Sequence, residues 1–179
     1  DHVILLSDGA SASEKNAAAE LQAYLLEATE FELPILEAPP AAGTPTIVIG
    51  RGTLASQLGV EPTDQELGEQ GFYWKTEPPH IVIAGTAAAG TLYGVHRFLE
   101  DVVGVRWYAP GVVHVPQLSE LMVPPLDGVV SPAFLWRHTS YNWPGKDDAF
   151  LTRKGDNSGD KTADHEWGVE HAGVADPLD

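Results

Sequence analysis

The 179-residue sequence contains no cysteine, which removes disulfides, thiolate metal sites and cysteine nucleophiles together. Cations are scarce as well. Ten Lys and Arg face 26 Asp and Glu, a formal net charge of −16. So acidic a balance opposes attraction to nucleic acid or to an anionic membrane surface, and neither is expected as a partner. No apolar run approaches the ~18 to 20 residues that span a bilayer, and no charged-then-apolar leader is present. Asp1 stands where a translation product would carry Met, so a preceding segment is expected to have been removed or never cloned. Gly-x-Ser-x-Gly is missing, and there is no internal repeat.

What is present alternates between strand and helix. Val3-Ile4-Leu5-Leu6 suits a buried strand. Ser11-Ala12-Ser13-Glu14 has the form of a capping box, and Ala17, Leu21, Tyr24, Leu25 and Ala28 then mark one helix face. Leu33 to Leu36 and Thr46 to Ile49 read as further strands, Thr53 to Leu58 as a short helix, and acidic Glu61 to Gln70 as a surface loop. Phe72 to Lys75 and His80 to Ala84 flank Glu77-Pro78-Pro79 as a hairpin. After Pro110 a proline-punctuated connector is expected to wrap the domain, and Phe134 to His138 reads as one more strand. The fold class is therefore α/β: a small sandwich with a mixed sheet and two main helices.

Several patterns imitate binding motifs and fail on a specific residue. Gly50-Arg51-Gly52-Thr53-Leu54-Ala55 fits a dinucleotide fingerprint between a strand and a helix, but it follows the third strand, and Gln70-Gly71 stand where the ribose-binding acid belongs. A plain strand-to-helix turn is expected. Gly85 to Thr91 has phosphate-loop spacing without the lysine. Asp164, His165, Glu166, Glu170 and His171 offer metal-ligating groups, yet His-Glu-x-x-His is absent and the two rings would leave a helix on different faces. Asp147, Asp148, Asp156 and Asp160 lie in no calcium-loop pattern. No metal and no cofactor are assigned.

The most distinctive stretch is Gly90-Thr91-Leu92-Tyr93-Gly94-Val95, running through Arg97, Glu100 and Asp101 to Gly104-Val105-Arg106-Trp107-Tyr108-Ala109-Pro110-Gly111. Leu92, Val95, Leu99, Val102 and Val103 form an apolar helical stripe, and Gly104 supplies the stop. Gly90 and Gly94 each cost roughly 1 kcal/mol of helix propensity, which means either close packing on a sheet or a helix that starts later. With the preceding order of elements, this wording resembles the N-terminal accessory domain of bacterial alpha-glucuronidases and beta-hexosaminidases, and above all that of a large family of uncharacterised glycosidase-like proteins.

The resemblance covers about residues 1 to 140 and implies a domain boundary. Residues 1–130 would form the α/β accessory domain, and 131–179 the start of a truncated barrel domain or a mobile acidic tail. Residues 145 to 179 carry seven Asp and two Glu against four Lys and Arg, with few large apolar groups to order them. A whole barrel of about 250 residues does not fit in the chain. The resemblance implies a secreted or periplasmic, non-catalytic domain that braces a (β/α) barrel, its partner, and helps shape a carbohydrate site; a free-standing carbohydrate-binding or protein-interaction module is the alternative. No acid here matches the paired carboxyls of glycoside hydrolysis. The related hexosaminidases place a sugar-gripping arginine at the start of the barrel, and this carries over to Arg137, with Trp136 beside it as a stacking surface.

Overall fold

The computed structural model describes residues 2–86, 89–134, 137 and 147–156. Short apolar runs become a parallel sheet core: β1 (Val3–Leu6), β2 (Ile35–Leu36), β3 (Thr46–Ile49) and, after an antiparallel partner β4 (Phe72–Glu77), β5 (His80–Gly85). A last strand, β8 (Asp127–Val130), joins the edge, so the six strands run β2-β1-β3-β5-β4-β8. The first four in that order are mutually parallel, and β4 and β8 are antiparallel additions. Buried on both faces, the central strands read as continuous apolar runs.

One face carries Ile4, Leu6, Ile47, Ile49, Ile81 and Ile83 against α1 (Ala12–Thr29) and α4 (Gly90–Phe98). Leu21, Leu92, Val95, Phe98 and Leu99 are buried there, each stabilising the fold by roughly 1.5–3 kcal/mol. The other face packs Val48, Val82 and Ala84 on Ala55 of α2 (Thr53–Gln57) and on Val60. The expected sandwich with a mixed sheet and two main helices is the fold observed.

The capping box is formed at α1. Ser11 Oγ accepts from the Glu14 amide at 3.2 Å, and the Ser11 amide donates to Glu14 Oε2 at 2.9 Å. The glycines of α4 resolve to close packing, with the helix starting at Gly90. A Cβ there would lie 2.2 Å from the Gly71 carbonyl oxygen, and one at Gly94 would lie 2.7 Å from Ile83 Cγ2. The helix then widens into a π-helical turn over Leu99–Val103, closed by Gly104 at φ 93°. Two amides, those of Gly104 and Val105, share the Leu99 carbonyl at 2.9 Å.

Three expectations need correction. Glu61 to Gln70 is not all loop: α3 (Asp64–Leu67) forms with its own capping box, Thr63 to Glu66, and buries Leu67. The connector contains β7 (Val112–His114), which pairs with β6 (Arg106–Ala109) as a separate ribbon, as well as β8. Phe134 and Arg137 are not in a strand; the rest of the Phe134 to His138 reading lies outside the described residues.

Candidate functional site

The charged groups converge where Arg137 and residues 147–156 lie against the α1/α4 face. Glu20 sits on the buried side of α1, one residue from Leu21, and His96 faces it from α4. His96 Nε2 lies 2.8 Å from Glu20 Oε2. Arg153, at the end of α5 (Asp148–Arg153), donates from Nη2 to Glu20 Oε1 at 2.6 Å and from Nε to Oε2 at 3.3 Å. Burial alone would raise the Glu20 carboxyl, but hydrogen bonds from His96 and Arg153 outweigh it and hold the group at about 2. Arg153 is shifted the opposite way: burial disfavours its charge, and Glu20 more than restores it.

Trp107 closes the cluster. It is buried, meets His96 and Tyr24 edge-on at 5.8 and 5.6 Å, and donates from Nε1 to Tyr24 Oη at 2.9 Å. Arg153 lies over the Tyr24 ring at 5.9 Å. The neighbouring Tyr108, by contrast, is 66% exposed. Trp107 is therefore core and Tyr108 surface, although the two are adjacent in the sequence.

Arg137 is also held against the α4 side. Nη2 donates to Gln70 Oε1 at 2.6 Å, Nη1 to the Phe134 carbonyl at 2.7 Å, and Nε to the Gly155 carbonyl, while the guanidinium lies 5.4 Å from the Tyr93 ring centre. Burial raises the Tyr93 phenol, partly opposed by Arg137. Between α4, the end of β8 and the Arg153–Gly155 turn is a cleft of about 340 Å³ onto which Arg137, Tyr93, His96 and Arg153 all open. Trp136, Trp143 and Trp167 lie outside the described residues, as does the Asp164 to His171 group. Among the described residues no cluster of three His, Cys, Asp or Glu could hold a metal. No helix of the described residues is long and apolar enough to cross a membrane.

The Gly50-Arg51-Gly52 turn is filled from within. Gly50 adopts φ 92°, and a Cβ on it would lie 2.4 Å from Glu14 Oε1. A carboxylate thus occupies the place where a phosphate would need backbone donors. Arg51 turns instead to the Gly85 carbonyl at 3.0 Å and to Asp64 at 2.7 Å. This is the plain strand-to-helix turn expected.

Among solved structures, a family GH115 4-O-methyl-alpha-glucuronidase with specificity for decorated arabinogalactans is similar at 17% identity and TM-score 0.55, covering 74% of this chain. This chain spans only 18% of that protein's length. The GH20 beta-N-acetylhexosaminidase of Streptomyces coelicolor A3(2) aligns at 16% identity and TM-score 0.48, over 75% of this chain and 23% of its own. A GH138 enzyme targeting pectin rhamnogalacturonan II aligns at 13% and 0.41, over 57% and 10%. No curated protein matches the sequence. At these identities the first of them speaks for the fold alone. The family assignment comes from the sequence itself: the family model of the glycosyl hydrolase family 67 N-terminus matches residues 2–98, more than half of the chain, which therefore belongs to that family of N-terminal domains of glycoside-hydrolase-like proteins.

Proposed function

We propose that this is a non-catalytic domain that braces a following (β/α) barrel and forms part of one wall beside its carbohydrate site, in a secreted or periplasmic glycosidase-like protein. The observation that carries the reading is a pair of staples, at Arg137 and at Arg153. Arg153 is bound bidentately by Glu20 on α1, and Arg137 by Gln70 and two carbonyls. These contacts hold Arg137 and α5 on the helical face beyond β8, which would set the direction of a domain that follows. Removing one partner of such a buried charge pair is strongly destabilising, so the contact holds α5 in place.

The test compares the protein carrying this domain and the region after it with its Arg153→Met variant by scanning calorimetry. The reading expects one cooperative transition in the parent and two separated ones in the variant; independent transitions in the parent would refute bracing. Aryl glycosides, glucuronides and N-acetylhexosaminides included, are expected to pass through the present chain unhydrolysed. Product release that survived repurification would overturn its non-catalytic role.

A further inference from the structure

We propose that an apolar cavity beneath the connector between β7 and β8 binds a small amphiphilic cation, an amine carried on an alkyl or aromatic body. Among the described residues it shares no lining side chain with the charged cleft. Its volume, about 310 Å³, is at the lower end for small-molecule sites. The floor is the core itself: Leu25 of α1, Ile47 of β3, Ile81 of β5 and Phe98 of α4, all buried. One wall is the connector, whose Leu118, Leu121 and Val123 lie half-buried against that core. The connector is pinned at its two ends. The Leu118 amide donates to the Ala28 carbonyl at 2.7 Å and Gln117 Nε2 to that of Glu27 at 2.9 Å, while Thr76 Oγ1 donates to the Pro124 carbonyl at 3.1 Å. Between these pins, residues 119–123 form no hydrogen bond among the described residues, so this stretch can shift to admit a ligand without breaking one.

The mouth explains the choice of ligand. Phe31, which lines the cavity, is 72% exposed, and Met122, between the lining residues Leu121 and Val123, is 79% exposed. An apolar body entering there would cover surface that both leave to water. The charge around it has one sign. Glu120 lines the cavity, and Glu30 and Glu32 flank Phe31 in the chain; all three are exposed, and among the described residues none is in an ion pair. No Lys or Arg is among the described lining residues. The basic group that is there, His2, has its imidazole held below the usual histidine range by burial, so it is neutral at pH 7. An ammonium group at the mouth is therefore attracted by carboxylates that lack a cation, whereas an anion is repelled. A second copy of this chain, with its formal charge of −16, would be repelled for the same reason. The described lining residues all come from this chain, so the site does not depend on a following domain.

Titration with octylamine, followed at the methyl NMR resonances of Leu25, Ile47, Ile81 and Leu118, tests the site against octanol and octanoate, which carry the same tail with no charge and with the opposite one. Octylamine is expected to saturate these shifts with a Kd below about 1 mM. At low salt octanol is expected to bind about fivefold more weakly and octanoate at least about tenfold more weakly. Glu120→Gln should cut the preference for amine over alcohol by about half. Phe31→Ser, at an exposed position, should weaken all three severalfold and keep that preference. No saturation by octylamine at about 3 mM, shifts confined to surface amides, or equal binding of octanol or octanoate would overturn the proposal. So would methyl shifts that change with protein concentration before any amine is added, the sign of a second copy seated in the cavity.

Discussion

Replacing Glu20 by Gln removes a charge on which three helices converge, and its cost follows from what is left behind. Arg153 keeps a guanidinium that is 17% exposed and has lost its bidentate acceptor. The Gln amide can accept from only one of its two partners, and if it donates to His96 Nε2 the imidazole proton must move to Nδ1, a buried atom with no acceptor. Breaking a buried pair costs about 3–5 kcal/mol, and the partial exposure of Arg153 puts this case near about 3. A second route agrees. A carboxyl held at about 2 in the fold, against 4.5 for an unperturbed glutamate, stabilises the folded state by about 3 kcal/mol above pH 5. Because the folded value is the depressed one, that contribution is lost as pH falls from 4.5 towards 2, with roughly half gone by pH 3. At about 2–4 °C per kcal/mol for a domain of this size, Glu20→Gln should melt about 6–12 °C below the parent at pH 7. The gap should narrow by at least half at pH 3. Since other carboxylates titrate in both proteins, the gap and not either melting temperature alone is the readout. A gap below about 2 °C at pH 7, or one that stays constant to pH 3, would refute the assignment.

Further outcomes follow from single contacts. Gly90→Ala should cost about 3 kcal/mol and Gly94→Ala about 1–3, measured by urea denaturation, because the first new methyl meets backbone and the second meets side chains able to shift. Ser11→Ala should lose about 1 kcal/mol with the α1 capping box, and amide exchange should accelerate first in the opening turn of α1. The hydrogen bond to Asp127 pushes the Tyr73 phenol up to about 12, so the alkaline titration of Tyr73, followed at its own ring NMR resonances, should move to lower pH in Asp127→Asn. An unchanged Tyr73 titration would mean that the Tyr73 to Asp127 bond does not form in solution.

The parts of the fold that were legible in the sequence are those whose signal is local. The runs at Val3, Thr46 and His80 are apolar on both faces because parallel strands are covered on both faces, and Ser11 to Glu14 carries its capping partner three residues away. Thr63 to Glu66 carries the same signature, but α3 buries a single residue, Leu67, so no apolar stripe reinforces the cap and acidity suggests loop. β8 fails for the opposite reason. Asp127-Gly128 contradicts strand propensity, and the strand exists because β4 offers it an edge, with Trp74 opposite Gly128. The candidate site was the least legible part. Arg137 could be singled out, but only through resemblance; its actual partners, Gln70 and Tyr93, lie 67 and 44 positions away in the chain. Glu20 and His96 are 76 apart, and Glu20 and Arg153 are 133 apart. What a sequence does show is the anomaly that precedes such pairing: an ionisable acid beside Leu21 on α1 and an imidazole beside Val95 on α4, each on a mostly apolar buried face. Since a buried charge persists only when it is paired, two such intrusions on facing helices predict each other, and a third group of opposite sign must be recruited from elsewhere in the chain. In this chain that group is supplied by α5, so the helix that follows the sheet is anchored to the domain through one of its own cations.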